Sequence, residues 1–290
     1  MVDLHTHSTA SAGSNSPAEL AALAKNKGLS VFALTDHDTT MGLEEAGIAA
    51  KEMGLGFIPG IELEISTAEI PAAIPIGGEF HLLGLGISPG DPDFTEGVDT
   101  LARRRKERNL EIIKRMEEIN IKADYEELLA LSGGYIVGRL HFASLLVKRR
   151  VVRNLEQAFT RYLGKGKPLY VPKAGLEFNH ALSVIKKAGG LAVLAHPMTL
   201  YLAWGRLPNY IKQLKDQGLQ GIEAWHPGAK VRDCKRLESL AKSLGLFVTA
   251  GSDFHGKARP DRKLGITAGN RKIEMSLLET IPELMEKVRY

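Results

Sequence analysis

Cys234 is the only cysteine in 290 residues. That excludes an internal disulfide and a zinc site built on paired thiolates, and it makes a reducing cytoplasm the natural compartment. No apolar run approaches the roughly 20 residues that a membrane-spanning helix needs, so no membrane association is expected. The first motif begins at Val2-Asp3-Leu4-His5, which sets the expectation that no signal peptide precedes it. There is no Gly-x-Ser-x-Gly elbow to present a serine nucleophile. Gly164-Lys165-Gly166-Lys167 lacks the spacing of a nucleotide-binding P-loop. Internal repeats and low-complexity stretches are also missing. A hydrophobic content of 44% with 25% charged residues supports a sizeable core, in one large domain or a domain carrying an insertion.

Charge is unevenly spread. Residues 101–170 hold 16 Lys/Arg against 8 Asp/Glu, while the remainder holds 22 against 26. A basic module on a more acidic body suits an anionic substrate, a phosphate ester or nucleic acid. The same charge also suits a solvated helical surface, and the run Arg103-Arg104-Arg105-Lys106 is open to both readings: a solvated helix face or a track for an RNA backbone.

Residues 1 to about 90 alternate short apolar runs with helical patterns. Val31–Leu34, 57–65 and 81–87 read as strands, with a turn at Ile76-Gly77-Gly78-Glu79. Ser16-Pro17-Ala18-Glu19 is a helix start, with a serine cap, proline at the first helical position and glutamate at the third. From about 98 to 163 the pattern turns helical: Leu110, Ile113 and Met116 share a spacing, and Tyr125–Leu131 and 155–163 follow. Strand patterns return at 191–195, 221–225 and 246–250, with a helix over 179–188 closed by Gly189-Gly190. Strands alternating with helices predict α/β architecture with parallel pairing. The expected organisation is a discontinuous domain, 1–97 with 171–290, interrupted by a basic helical insertion at 98–170.

The chemistry lies in a series of histidines and carboxylates, most of them just after an apolar run: His5-Thr6-His7, Thr35-Asp36-His37-Asp38, Gly60-Ile61-Glu62, Phe80-His81, Ala195-His196-Pro197 and Ser252-Asp253-Phe254-His255. His5 and His7, two apart on a strand, point to one face. Residues at the C-terminal ends of parallel barrel strands converge on one mouth. Imidazole plus carboxylate without thiolate suits manganese, zinc or iron. A carboxylate such as Glu62 is able to bridge two ions, although Glu64 lies on the same face. Two such ions, roughly 3.5–4 Å apart, clamp a phosphoryl group and activate water, so no protein nucleophile is needed.

This ordered set resembles the PHP (polymerase and histidinol phosphatase) superfamily. Gly138-Arg139-Leu140-His141-Phe142-Ala143, together with Tyr162-Leu163 and Tyr170-Val171-Pro172, resembles its branch of nucleoside 3′,5′-bisphosphate phosphatases and 5′-to-3′ exoribonucleases. The resemblance implies a distorted (β/α)7 barrel holding two to three divalent ions, manganese foremost with zinc or iron as alternatives. It implies one ion on His5, His7, Glu62 and Asp253, a second on Glu62, His81 and His196, and a third on His37 and His255. Glu62, His196 and Asp253 are the catalytic candidates. One departure stands out: the family's first loop reads Ser-Asp-Gly, whereas this chain has Ser11-Ala12-Gly13. Alanine cannot ligate, so a weaker third site is expected. Asp36 or Asp38 would have to compensate, although Asp36 is better placed to orient a ligand histidine.

Arg139 and His141 are expected to hold a second substrate phosphate, since a guanidinium fork matches phosphate oxygens, and Lys173 is a further candidate at the pocket mouth. His226 is expected at the rim or in a structural role and His180 at the surface. Glu223 is left out of the site. The expected activity is phosphoester hydrolysis of nucleoside 3′,5′-bisphosphates or short 5′-phosphorylated RNA, with no obligate protein partner. Two rivals remain: a histidinol-phosphate-type monoesterase, and a non-catalytic RNA-binding module with a degraded metal site.

Overall fold

The structure, a computed structural model, describes residues 1–67, 78–133 and 136–290. The turn expected at Ile76-Gly77-Gly78-Glu79 falls partly outside them. The chain divides into two compact units, Met1–Val98 with Gly175–Tyr290, and Asp99–Ala174.

In the first unit seven strands form one sheet in sequence order: β1 (Val2–Asp3), β2 (Val31–Leu34), β3 (Gly56–Glu64), β4 (His81–Leu85), β5 (Leu191–Leu194), β6 (Gly221–Trp225) and β7 (Phe247–Ala250). The ends of the sheet meet. Leu4 N–H donates to Ala250 O at 3.3 Å, Asp253 N–H to His5 O at 2.9 Å, and His7 N–H to Phe254 O at 2.9 Å. The result is a barrel closed between β1 and the segment that follows β7. Strand runs such as Val-Phe-Ala-Leu of β2 are buried at every position, as expected where helices cover the outside of a parallel barrel.

The helices outside these strands start and stop on local signals. α1 (Pro17–Asn26) opens with a full capping box: Ser16 Oγ accepts from Glu19 N–H, and the Glu19 carboxylate accepts from Ser16 N–H. α2 (Leu43–Glu52) precedes β3. Val2, Leu4, Val31, Ala33, Ile58, Leu83, Val193 and Ala250 pack as one cluster, together with Ile273, Leu278, Ile281 and Leu284 from the C-terminal segment.

Pairing is parallel except around β4, which runs antiparallel to both β3 and β5. This corrects the expectation of uniform parallel pairing. The reversed strand sets Glu64, the last residue of β3, opposite His81, the first of β4. His81 therefore reaches the same end of the barrel as residues that follow the parallel strands.

In the second unit α3 (Pro92–Glu118), most of whose length lies here, is followed by α4 (Tyr125–Leu131), α5 (Arg139–Lys148) and α6 (Leu155–Ala158). These helices bury a core of their own, including Ile112, Met116, Leu128, Phe142 and Leu146. Leu110 is 47% exposed, whereas Ile112 is fully buried. The helix expected over 155–163 is α6 plus a π-turn, Phe159–Leu163. α7 (Phe178–Lys187), α8 (Leu207–Gln217) and α9 (Val231–Leu244) return to the barrel unit, and α10 (Met275–Glu279) and α11 (Pro282–Met285) end the chain.

Candidate metal centre

Sharp turns at the strand ends aim the candidate ligands. His196, two residues after the end of β5, has φ 28° and Asp253, three after the end of β7, has φ 51°. Side chains seldom adopt this left-handed region, and a surrounding structure must over-determine it, as active sites do. Close packing behind the site depends on Gly251. A Cβ there would lie 2.2 Å from His5 Cβ and 2.6 Å from Glu223 Oε1, so any larger residue would displace both.

Glu62 is the hub. Its Oε1 lies 2.8 Å from His81 Nδ1 and 2.8 Å from His196 Nε2. Its Oε2 lies 3.3 Å from His5 Nε2, 3.2 Å from His7 Nε2 and 2.9 Å from His37 Nδ1. One carboxylate oxygen thus faces each histidine set. Asp253 Oδ1 joins the His5–His7 side, 3.3 Å from His7 Nε2 and 3.7 Å from His5 Nε2. Glu64, the rival bridge, contacts His81 at 3.2 Å.

In His5, His81 and His196 the other ring nitrogen is held from behind. Glu223, omitted by the sequence reading, is buried and accepts from His5 Nδ1 at 2.9 Å through one oxygen and from His196 N–H at 2.8 Å through the other. Glu64 accepts from His81 Nε2, and Thr199 Oγ1 meets His196 Nδ1 at 2.8 Å. Such partners fix ring tautomer and direction. His226 is a supporting residue as well. Gly228 N–H donates to its Nδ1, so Nε2 carries the proton and donates to Asp253 Oδ2 at 3.2 Å. Asp3 braces β1 to the β7 turn by accepting from Ser252 N–H, Ser252 Oγ–H and Gly265 N–H. Glu223 is the middle residue of β6, a carboxylate inside a buried apolar strand run, and that was the available signal.

Electrostatics match a cation site. Burial pushes the Glu62 carboxyl up, but the imidazoles of His37, His5 and His81 outweigh it and hold the group well below the usual range. Asp253 is likewise held well below, against burial, by His226, His7, His255 and His5. Burial pulls His81 down, yet Glu62 and Glu64 raise it to about 10. In His255 burial dominates, with repulsion from His7, and its pKa falls to about 3.

The donor set fits divalent ions. His5 Nε2 and His7 Nε2 point at one another 3.1 Å apart, both facing acidic oxygens. Donors placed tetrahedrally about 2.0–2.2 Å from a cation are about 3.3 Å apart. Opposed ring nitrogens at that separation need a cation or a proton between them. His7 Nδ1 is buried without a hydrogen-bond partner. Among the described residues, four groups of three have donor atoms within 4.8 Å of one another: His5–His7–Asp253, His5–Glu62–His196, His37–Glu62–His81 and His7–His37–His255.

The residues assigned to a third ion are brought together with His7, whose ring centroid lies 4.5 Å from that of His37 and 4.2 Å from that of His255. His37 also joins the Glu62 and His81 group. Neither nearby aspartate substitutes for a carboxylate at Ala12. Asp36 accepts from Ser8 N–H and from the hydroxyls of Ser8 and Ser11, bracing the loop rather than orienting a histidine. Asp38 accepts from Glu64 N–H.

The substrate candidates Arg139, His141 and Lys173 are half-buried in the second unit. His141 Nδ1 accepts Gly138 N–H at 2.9 Å, capping α5 and leaving Nε2–H as a donor. Burial lowers its pKa. Arg103 and Lys106 are exposed on α3, and His180 is exposed on α7.

A barrel with imidazole–carboxylate clusters at one mouth defines a metal-dependent hydrolase. The family model for the PHP domain matches residues 3–171, and the chain belongs to that family and is a metal-dependent phosphoesterase. It is 36% identical to the 5′-3′ exoribonuclease of Haemophilus influenzae, over 87% of this chain and 89% of that protein. It is 32% identical to the 3′,5′-nucleoside bisphosphate phosphatase of Chromobacterium violaceum, over 92% and 91%. Among solved structures, an amidohydrolase from Chromobacterium violaceum with bound sulfate and no metal superposes with a TM-score of 0.84 at 30% identity, covering 99% of this chain and 97% of that one.

Proposed function

We propose that this chain hydrolyses phosphate esters of nucleotides, with nucleoside 3′,5′-bisphosphates and short 5′-phosphorylated RNA as its substrates. The observation that carries the reading is Glu62, which turns one oxygen to His81 and His196 and the other to His5 and His7. That geometry suits a carboxylate bridging adjacent cations. The two similar proteins named for activity on RNA and on nucleoside bisphosphates support the choice of substrate.

When bound, two or three divalent ions, manganese foremost with zinc or iron next, supply Lewis-acid polarisation of phosphoryl oxygens and lower the pKa of water. The residues His5, His7, Glu62 and Asp253 form one holding set, and Glu62, His81 and His196 another, with His37 and His255 beside them. Glu223, Glu64, Thr199 and His226 keep the imidazoles and Asp253 aimed inward. Arg139 and His141 contact a substrate phosphate, Arg139 through its fork and His141 through Nε2–H; Lys173 is a third contact. The single buried thiol, Cys234, suits a reducing cytoplasm, and among the described residues no helix is long and apolar enough to cross a membrane.

A phosphate-release panel tests the reading, run with Mn²⁺, Zn²⁺ and Fe²⁺ on nucleoside 3′,5′-bisphosphates, short 5′-phosphorylated RNA and simple monophosphates. Turnover of the first two supports it. Turnover confined to an amino-alcohol monophosphate would replace it with a histidinol-phosphate-type activity. RNA binding without hydrolysis under every metal would replace it with a binding module. Arg139→Ala is expected to reduce turnover of the nucleotide substrates, and unchanged kinetics would remove that residue from the site.

A further inference from the structure

The end of the barrel opposite the metal centre carries a basic groove that hydrolysis at the mouth does not use. β4 runs antiparallel, with His81 at its start on the metal side, so the residues that follow it emerge at the far end. A groove of about 680 Å³ lies there, and its lining includes Ser88, Asp91, Lys187, Gly189, Lys287 and Arg289. All of them belong to the barrel unit. Three cations line the groove against one carboxylate. That carboxylate, Asp91, is committed to the start of α3, where its Oδ1 accepts from Asp93 N–H and Phe94 N–H. Lys187 pairs with Asp93. Among the described residues no carboxylate pairs with Lys287 or Arg289. Arg289 Nη2 reaches Ile87 O and Ser88 Oγ only at 3.4 Å, too long for strong hydrogen bonds.

Both free cations are held in place. Gly86 has φ 72°, and a Cβ there would lie 2.6 Å from Lys287 Cγ. The stem of Lys287 therefore rests directly on Gly86, and glycine alone allows both that backbone and that approach. A Cβ on Gly189 would lie 3.7 Å from Lys287 Nζ, so the ammonium reaches over the turn that closes α7. The backbone of Arg289 exchanges two hydrogen bonds of 2.8 Å with Phe57 of β3, which ties its position to the barrel. Two positioned cations share one groove, and neither is neutralised by the protein. An anion between them relieves their repulsion.

We propose that this groove binds a small phosphate-bearing anion, with its phosphate between Lys287 and Arg289. The arginine fork matches two phosphate oxygens, and the lysine adds a point charge. The volume leaves room for a nucleoside phosphate as well as for a bare phosphate. The site is independent of the proposed function, which uses the other end of the barrel. Lys287 follows Leu284, which packs into the barrel core. A bound anion would fasten that C-terminal segment to the loop after β4, and so stabilise the folded chain by linkage.

The test labels the full chain with an amine-acetylating reagent and reads each lysine by mass spectrometry. Inorganic phosphate or adenosine 5′-monophosphate is expected to slow labelling of Lys287, and sodium chloride at equal ionic strength is not. Slowing by both anions identifies the phosphate group itself as the ligand, and slowing by the nucleotide alone identifies a nucleoside phosphate. Arg289→Gln is expected to raise the concentration for half-protection of Lys287 about 10-fold or more, the size of a lost charge-assisted contact. Lys287→Gln keeps the stem on Gly86 and is expected to remove most of the rise in melting temperature that the protecting anion gives the wild type. Both variants are expected to keep wild-type turnover of nucleotide substrates, so this site and the proposed function fail separately. No protection of Lys287 by either anion, protection matched by chloride, or protection that survives Arg289→Gln overturns the site. A Lys287→Gln chain that melts lower than wild type, yet gains as much from the anion, leaves Lys287 as a support for α7 and overturns it as well.

Discussion

Glu223→Gln isolates what the buried support contributes. In the native chain one carboxylate oxygen accepts from His5 Nδ1 at 2.9 Å and the other accepts from His196 N–H at 2.8 Å. A glutamine side chain has one acceptor and one donor end. If its oxygen stays on His196 N–H, its NH₂ faces His5 Nδ1, which must then accept. The His5 proton moves to Nε2, the nitrogen aimed at the cluster. If the amide flips, its NH₂ faces the His196 backbone donor, and a buried donor–donor contact costs about 1–3 kcal/mol. Either orientation works against binding a cation. A loss of 10- to 100-fold in metal affinity is expected, or about 1.4–2.7 kcal/mol. Competitive titration against a chromogenic chelator measures it, and a thermal melt of the metal-free variant confirms folding. An affinity within about twofold of wild type would refute the tautomer argument, and with it the supporting role of Glu223.

Three further outcomes follow from the same geometry. In the metal-free site, carboxylate neighbours outweigh burial and raise His5 and His7 above their ordinary value and His81 to about 10, so His81 carries a proton at neutral pH that a cation must displace. Metal affinity is therefore expected to rise with pH and uptake to release protons; calorimetry in buffers of different ionisation heat checks this, and the absence of release would contradict it. Ala12→Asp restores a carboxylate to the first loop and is expected to raise the number of ions retained per chain after dialysis, by elemental analysis; three tightly held ions in the unaltered protein would show that Ala12 does not weaken the third site. Phe142, fully buried in the second unit's core, is expected to cost about 3–5 kcal/mol when changed to alanine, by denaturant unfolding; a loss under 1 kcal/mol would mean that the core closes around the gap.

Much of the barrel was legible because its strands are runs buried at every position or at all but one. Gly221–Trp225 and Tyr125–Leu131 appear with the bounds read from the sequence. The reversal of β4 was missed, although the signal existed. His81 stands before its apolar run, whereas His5, His37, His196 and Asp253 come at or after the ends of theirs. Only an antiparallel strand brings a leading residue to the same barrel end as trailing ones. Of the spaced residues Leu110 and Met116, only Met116 is buried, because a three-residue spacing fits more than one stripe of a long helix, and contact with a specific core decides which stripe is buried.

The local sequence determined which residues have ligand chemistry, where strands and caps fall, and that an internal disulfide and a paired-thiolate zinc site are excluded; each of these depends on side-chain type and short-range periodicity. Only the tertiary structure decided what stands behind and beside those ligands. Glu223 on His5, Glu64 on His81, His226 on Asp253, and Asp36 turned to the Ser8–Ser11 loop are contacts between segments far apart in the chain. No local pattern encodes them, because hydrogen-bond geometry and burial arise only when barrel closure brings the strand ends to one mouth.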